Sequence, residues 1–468
     1  MAHIAVVGSG PAGLATSLFL ARRGHGVTLV EQDAAAPPDD PELCFDQWRR
    51  RGVAQARQPH LLLGRSSELL LAEAPDVLRS LADSGPNLFT NAMDRVDYRH
   101  VDDPYYLCSR RLPFEAQMRR EALRETNVHL VSGVEVESLV VRGGDTVTSV
   151  KGVRLADGQT VDADLVVDCA GRFSPIAHWL QKAGLDPLTE TGEDCDFCYI
   201  TRWYRLKPGQ AFPIVRLPVR VATPFAMFMC FPADRDVFGL TVTVSMRDPL
   251  RAAPRDPATF DRIVAALPQF EPWLARADPI GPPHVLGRIE NRWRSLLRDG
   301  RPSVGGLALV GDSAIHTNPT MGLGITLGYL QAQQLANMAS VHEVGSLRFS
   351  VDYETWRAET LAIWFDTQVA ADRRRLAVLE ATLTGQDPVP PTDQASRFNA
   401  ALQFLSGRDP IVARAFIRMS HMCISPLDLA ADPIVKAAVA KEMEGPSGVT
   451  PPQTGLSRET FERLVGPG

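Results

Sequence analysis

Apolar positions open the chain as a short run, His3 to Val7, that breaks at Gly8-Ser9-Gly10-Pro11-Ala12-Gly13. Helical apolar spacing then runs from Leu14 to Arg23. Gly24 and Gly26 end that helix, and Val27 to Val30 is a second buried-strand run. The pattern predicts strand, turn, helix and strand, a βαβ unit at the start of the chain. Residues 32–58 break the regularity with Ala34-Ala35-Ala36-Pro37-Pro38-Asp39-Asp40-Pro41 and the basic Arg49-Arg50-Arg51. A helix is expected from His60 to about Leu71. Short strands follow at Val128–Val131, Val136–Val141, Val147–Leu155 and Thr160–Asp168, with Asp157-Gly158 as a hairpin signal.

Between about 185 and 290 the pattern turns β-rich. Tyr199–Leu206, Pro224–Phe231 and Phe238–Met246 are expected strands of an inserted, largely antiparallel sheet, with a turn at Ala233–Asp236. Gly306–Gly311 returns to a buried strand, and Ile325–Met338 to a helix. Two helical regions, 351–383 and 393–443, are separated by Pro388, Pro390 and Pro391, and 445–455 is expected to be a loop.

Composition narrows the class. The chain has 468 residues and a formal net charge of −6, so it offers no general basic footprint for nucleic acid or anionic lipid. Seven cysteines at scattered spacings do not make a disulfide framework and suit a reducing compartment. No apolar stretch approaches the ~20 residues of a membrane helix. No basic region or cleavage site precedes the first apolar run. The expectation is a cytoplasmic protein, monomer or homodimer, acting on a small molecule, with no nucleic acid and no membrane.

Gly8, Gly10 and Gly13 have the spacing of a dinucleotide fingerprint. The first permits the tight turn, the second lets backbone approach a pyrophosphate, and the third packs helix on strand. Glu31 ends the second strand, where a carboxylate can accept both hydroxyls of an adenosine ribose. NAD and FAD use the same device, so these residues leave the nucleotide open.

A second glycine-rich segment, Leu307 to Gly328, contains Gly311-Asp312, Pro319, Gly322, Leu323 and Gly324. It resembles the corresponding segment of FAD-dependent monooxygenases similar to p-hydroxybenzoate hydroxylase and squalene epoxidase, of natural-product type. Arg111-Leu112-Pro113-Phe114-Glu115, at a helix start, resembles the segment whose arginine contacts FAD in that family. Asp168 to Ser174 resembles its mid-chain turn near the nucleotide, and Gly52 to His60 resembles a segment of actinobacterial-type members, which implies Arg57 and His60 near the flavin. The resemblance runs from residue 3 to about 340, and more loosely to Gly455–Arg458.

That resemblance implies an α/β fold with a discontinuous Rossmann-like FAD/NAD(P)-binding domain. Its expected parts are 1–184, with some substrate-domain strands near 85–107, and 291–345. The β-rich substrate domain would span 185–290 and a C-terminal helical region 346–468. The cofactor-binding set it implies is Gly8, Gly10, Pro11, Ala12, Gly13, Glu31, Arg111, Val136, Asp312, Pro319, Gly322, Leu323 and Gly324. The implied activity is hydroxylation or epoxidation of a polyketide- or aromatic-type natural product through a flavin hydroperoxide, with NADPH as electron donor, as in antibiotic biosynthesis. The cofactor carries the hard chemistry, so no catalytic side chain is demanded of the sequence. Two other activities of the fold stay open: a non-redox Diels–Alder-type cyclase, and a reductase of an isoprenoid double bond.

The substrate wall is expected from Trp203, Tyr204, Phe225, Met227, Met229 and Phe231, the last four alternating on one strand face. Ordinary sheet core is the plainer reading of these side chains. Cys195 and Cys198 have metal or redox spacing but no second pair, and are expected to be unrelated thiols. His316 is expected in a loop, bonded to backbone or touching the cofactor. Arg49–Arg51 and Arg373–Arg375 are expected on solvated faces, and Trp356 and Trp364 in packing between the C-terminal helices and the flavin domain.

Overall fold

The computed structural model describes residues 1–98, 103–143, 148–302, 304–387, 393–444 and 456–466. Val147, Pro388, Pro390, Pro391, the 445–455 loop and Gly455 lie outside the described residues.

The predicted βαβ unit forms as strand His3–Val7, helix Pro11–Arg22 and strand Gly26–Glu31. These strands are the third and fourth of a five-stranded sheet. Its order is Leu307–Leu309, Leu165–Asp168, His3–Val7, Gly26–Glu31 and Val128–Ser132, every pairing parallel. Because this sheet collects strands from residue 3 to residue 309, its sequence is discontinuous. Helices Pro11–Arg22 and Leu323–Ala339 cross against each other on one face, with Leu14, Leu18, Phe19, Tyr329 and Leu335 in one buried core. Strands covered by helices read as unbroken apolar runs, which is why Ile4–Val7 and Leu165–Val167 were legible.

A five-stranded antiparallel sheet has the order Val219–Ala222, Ala226–Pro232, Val237–Ser245, Phe197–Leu206, Ala277–Leu286. The first and last strands were not anticipated. The last contains Pro279, Pro282 and Pro283, and a residue without an N–H fits a sheet only where no ladder bond is required, as at this edge.

Other expectations are corrected. His60 does not start a helix: Pro59–Leu62 is a strand paired with Tyr106–Arg110, and the helix is Gly64–Glu73. Thr160–Asp168 is not one strand. Thr160–Asp162 closes a hairpin sheet with Thr148–Leu155, and Leu165–Asp168 joins the parallel sheet. Region 393–443 comprises separate helices, Gln394–Leu405, Pro410–Ser420, Pro426–Ala431 and Pro433–Glu444, three of them opening on a proline that suits a first helical position. The expected helix 351–383 is the long helix Leu347–Leu383, started four residues earlier by Ser346, whose hydroxyl accepts from the Phe349 N–H.

Candidate functional site

One cavity of about 1560 Å³ runs from the first glycine turn to the C-terminal helices. It exceeds the roughly 300–1,000 Å³ of a single-ligand pocket and so has room for a dinucleotide and a second molecule. Every residue of the expected cofactor set lines it except Gly13. Gly13 has the packing role instead, since a Cβ there would lie 1.9 Å from the Gly8 carbonyl oxygen.

At the end of the cavity next to Gly8–Gly13 the turn is built from backbone. Gly8 has φ +100°, and a Cβ on it would meet the Cys169 carbonyl at 2.6 Å. Gly10 is open on its side-chain face, with only Arg111 Nη2 at 3.8 Å from a built Cβ. It caps the helix Pro11–Arg22 without a side-chain hydrogen bond, so the first-turn N–H groups lack partners and carry the positive end of the dipole.

Glu31 is 3% exposed. Its carboxylate accepts from the Ser9 N–H at 2.9 Å, the Ser9 hydroxyl at 2.6 Å and the Asp33 N–H at 2.9 Å. Burial pushes this carboxyl up, but Arg50 at 3.0 Å and those donors outweigh it and hold it below the usual range. Arg50 therefore does not sit on a solvated face. It reaches back from the irregular segment into a buried cluster, bonding Glu31, Asp33 at 3.2 Å and Glu115 at 2.7 Å, over the Trp48 ring. Arg111 opens the helix Arg111–Ala122 and donates to Glu115 at 3.1 Å. His60 lines the cavity, and its Nδ1–H donates to the Gln58 carbonyl. Burial and the neighbouring Arg111 push its pKa to about 3, so it is neutral. Arg57 does not line this cavity; it donates to the carbonyls of Phe45 and Asp46.

The second glycine segment packs directly beside the first turn, since a Cβ on Gly311 would lie 2.7 Å from Ala12 Cβ and one on Gly328 3.0 Å from it. Asp312 sits in the tight turn Gly311–Ser313, which is fixed by the Ser313 hydroxyl donating to the carbonyls of Asp168 and Val310. Asp312 itself has no hydrogen bond to a described residue. Gly322 is left-handed at φ 70° and caps the helix Leu323–Ala339, again without a side-chain bond, so a second helix N-terminus opens on the cavity. Asp168, Gly171 and Ser174 form the mid-chain turn, and Ala170 to Phe173 line the cavity. Burial pushes the Asp168 carboxyl up to about 6, opposed by the Ser174 hydroxyl and the Ala170 N–H.

Sequence reasoning missed what holds the segment Thr317–Gly322. Asp372, 4% exposed on the long helix, accepts from Asn318 Nδ2 at 2.8 Å, Asn291 Nδ2 at 2.8 Å and Gln368 Nε2 at 2.9 Å. Asn291 Oδ1 accepts from the Asn318 N–H, Gln368 also donates to Thr320 Oγ1, and Tyr199 Oη donates to Asn318 Oδ1. Asn318 stood inside the glycine segment next to Pro319. Its partners are scattered through 199, 291, 368 and 372, and no spacing links them. His316 is in a short strand rather than a loop, and it bonds the Glu290 carbonyl while lining the cavity.

At the far end the expected wall is only partly there. Met229 and Phe231 line the cavity, whereas Trp203, Tyr204, Phe225 and Met227 do not. Trp203 packs on Phe45 and donates to the Arg57 carbonyl, Tyr204 stacks on Phe238 and bonds Asp261, and Phe225 packs on Phe461. Phe225 precedes the strand that starts at Ala226, so alternation does not govern it. Much of the wall comes instead from the C-terminal helices, through Trp364, Thr367, Phe398, Leu402, Phe416 and Leu429. Trp356 is packed between cores as expected, while Trp364 has a face on the cavity. Arg374 lines the cavity, and Arg375 donates inward to the Ala226 carbonyl, so only Arg373, paired with Glu193, matches a solvated face. Cys195 and Cys198 are buried and free, and no metal-holding group of side chains occurs among the described residues.

Two uncapped helix N-termini, a glycine whose open side faces the cavity and a cavity too large for one ligand fit a bound FAD. Residues 1–346 match the model of the FAD binding domain family, and the chain belongs to that family. It is an FAD-dependent oxidoreductase of the monooxygenase class. The chain is 26% identical over 473 residues to Protein Rv3254 of Mycobacterium tuberculosis (strain ATCC 25618 / H37Rv), covering 94% of each. It is 28% identical over 345 residues to 6-methylpretetramide 4-monooxygenase of Streptomyces rimosus, covering 70% of this chain and 73% of the relative. Among solved structures, the anhydrotetracycline hydroxylase OxyS from Streptomyces rimosus matches with a TM-score of 0.56 and 18% identity, over 90% of this chain and 76% of that one. No helix among the described residues is long and apolar enough to cross a membrane.

Proposed function

We propose that the chain uses FAD, reduced by NADPH, to hydroxylate or epoxidise a large apolar natural-product intermediate of polyketide or aromatic type. The observation that carries this reading is the single cavity that joins two helix N-termini to an apolar lobe walled by helices. The names of the tetracycline-pathway relative and structural neighbour support the substrate class. Bound FAD would supply the electron transfer and oxygen activation.

The chain's own residues do the rest. Gly8, Gly10, Pro11 and Ala12 would bring backbone N–H groups to the pyrophosphate, and Glu31, held ionised by Arg50, would take the ribose hydroxyls. Arg111, Val136 and Asp312 would flank the cofactor, and Pro319, Gly322, Leu323 and Gly324 its ring. The N-terminus of helix Leu323–Ala339 would stabilise negative charge there. Asp372 keeps that segment in place through Asn318. The apolar lobe excludes water from the reacting centre. Residues 1–184 and 291–345 would form the FAD-binding part, 185–290 the inserted sheet domain and 346–468 the helical region. All seven cysteines are free, which supports a cytoplasmic location; the chain would act as a monomer or homodimer.

Purified protein should be yellow, and Gly10→Val and Asp312→Ala should each lose bound flavin. NADPH should bleach the flavin anaerobically, and labelled O2 should place one oxygen atom in the product. Turnover that continues unchanged without O2 overturns the monooxygenase reading in favour of a cyclase.

A further inference from the structure

The substrate lobe is not only apolar. Arg216, Arg220 and Arg374 all line it; none forms an ion pair within 4 Å among the described residues, and only Arg374 has a carboxylate, Asp393, in electrostatic reach. Arg216 donates to the Ser406 carbonyl at 3.2 Å, Arg220 to the Thr320 carbonyl at 2.8 Å, and Arg374 to the Ser396 hydroxyl at 3.5 Å. Each guanidinium has five N–H donors, so most of this donor capacity is unspent. The lobe's carboxylate, Asp366, bonds none of the three and acts electrostatically on Arg373, outside the cavity. A local excess of positive charge in a chain of net charge −6 is a specific arrangement, not a reflection of composition.

The position of Arg220 sharpens this. Its surface is exposed, but it is exposed to the cavity, and the surrounding protein desolvates it enough to lower its pKa. An arginine on an outer face would not be so affected. Tyr106 lines the same wall, 4% exposed, with both Arg216 and Arg220 acting on it electrostatically. Burial pushes its phenol up to about 12, so it keeps its proton as a donor, while Asn91 Nδ2 donates to its oxygen at 3.3 Å. Donors from three residues therefore lie on one wall, and beyond the Thr320 and Ser406 carbonyls no carboxylate among the described residues pairs with Arg216 or Arg220. Through Thr320, Arg220 is tied to the segment Pro319–Gly322.

We propose that the substrate carries an oxyanion, a carboxylate or an acidic phenol ionised in the site, which Arg220, Arg216 and Tyr106 hold beside the Pro319–Gly322 segment while its apolar body lies along the helices from Trp364 to Leu429. This rests on the functional reading above and narrows its substrate class. Arginine forks pair with planar oxyanions through parallel hydrogen bonds, and an enclosed site strengthens them.

Isothermal titration of the flavin-loaded protein with anthraquinone-2-carboxylate, its neutral primary amide and 2-hydroxyanthraquinone tests the proposal. The carboxylate, or the phenol above its own pKa, should bind about tenfold or more tighter than the amide. Arg220→Gln and Arg216→Gln should reduce that preference to near unity, the loss falling on the carboxylate and the phenolate far more than on the amide. Arg220→Lys should restore part of it. A preference for the carboxylate alone or for the phenolate alone supports the proposal and identifies the group. Equal binding of all three, binding of none, or a preference that survives both glutamine variants overturns it. If the protein holds flavin and incorporates oxygen yet shows no anion preference, only this inference fails. If it holds no flavin, the functional reading fails, and the anion preference is still measurable on the protein as purified.

Discussion

The two ends of the cavity are made in different ways. The end proposed for the nucleotide is made of backbone: glycines at Gly8, Gly10, Gly311 and Gly322, and the N-termini of two helices. The substrate end is made of side chains delivered by the inserted sheet and by helices spread from 364 to 430. Backbone devices need fixed residue types at fixed spacing, because φ and close approach leave little choice. A wall of side chains needs only shape and polarity, which many sequences supply. The first end is therefore rigid and specific for its ligand, and the second can be rebuilt without disturbing the first.

The most severe test of that contrast is Gly13→Ala. The added methyl would sit 1.9 Å from the Gly8 carbonyl oxygen, so strand and helix must separate. Loss of bound flavin and largely insoluble or unfolded protein are expected, read by absorbance and circular dichroism. Next is Arg50→Met, which leaves Glu31, Asp33 and Glu115 buried without their shared cation. A loss of about 3–5 kcal/mol in denaturant unfolding is expected, with weaker flavin retention. A stability within 1 kcal/mol of wild type (roughly the scatter of ordinary substitutions) would show the cluster to be incidental.

A pH experiment separates the ends. His421 ties the C-terminal helices to the rest: its Nδ1 accepts from the Gly64 N–H at 2.8 Å, and its Nε2–H donates to Asn91 Oδ1 at 3.1 Å. Burial depresses its pKa to about 3 from the usual 6.5, so the folded state holds it neutral. Between those values the unfolded chain binds the extra proton, and stability falls as pH falls through 6.5 towards 3. His60 and His284, lowered to about 3 and about 4, act in the same sense. His421→Gln should flatten the pH dependence of urea unfolding by about 1.4 kcal/mol per pH unit. An unchanged slope would mean the histidine is not held neutral. The smallest effect is expected for Phe398→Ala, at the substrate end. Flavin content and melting temperature should not change, while KM for a large apolar substrate rises about tenfold. A loss of flavin from this variant would erase the distinction between the ends.

The same division explains what could be read in advance. The parallel sheet and the first glycine segment were legible because each reports a local constraint, whereas the second glycine segment and Arg111 were singled out by family resemblance. The edge strand Ala277–Leu286 was hidden by its prolines, and the strand Pro59–Leu62 by its fusion with the following helix. Arg50 looked solvated because nothing in the sequence joins it to Glu115, 65 positions away. Asp372 was invisible for the same reason: burial of a carboxylate among amide donors is a property of packing. Trp203, Tyr204, Phe225 and Met227 are sheet core, the plainer of the two expectations, and only Met229 and Phe231 reach the cavity, because an apolar pattern identifies a buried face without saying what buries it.

The long helix Leu347–Leu383 has a consequence for how the protein can change. At about 1.5 Å per residue its 37 residues make a rod of about 55 Å. Tyr353 is bonded to the Leu309 carbonyl at one point on it, Asp372 to Asn318 further along, and Arg375 to the Ala226 carbonyl beyond. Those attachments fix its phase as well as its position. One residue inserted between Arg357 and Gln368 would turn everything downstream by about 100° and lift Asp372 off Asn318. The rod can exchange side chains where it faces the lobe, but it cannot change length: its tolerance to substitution and its tolerance to insertion are opposite.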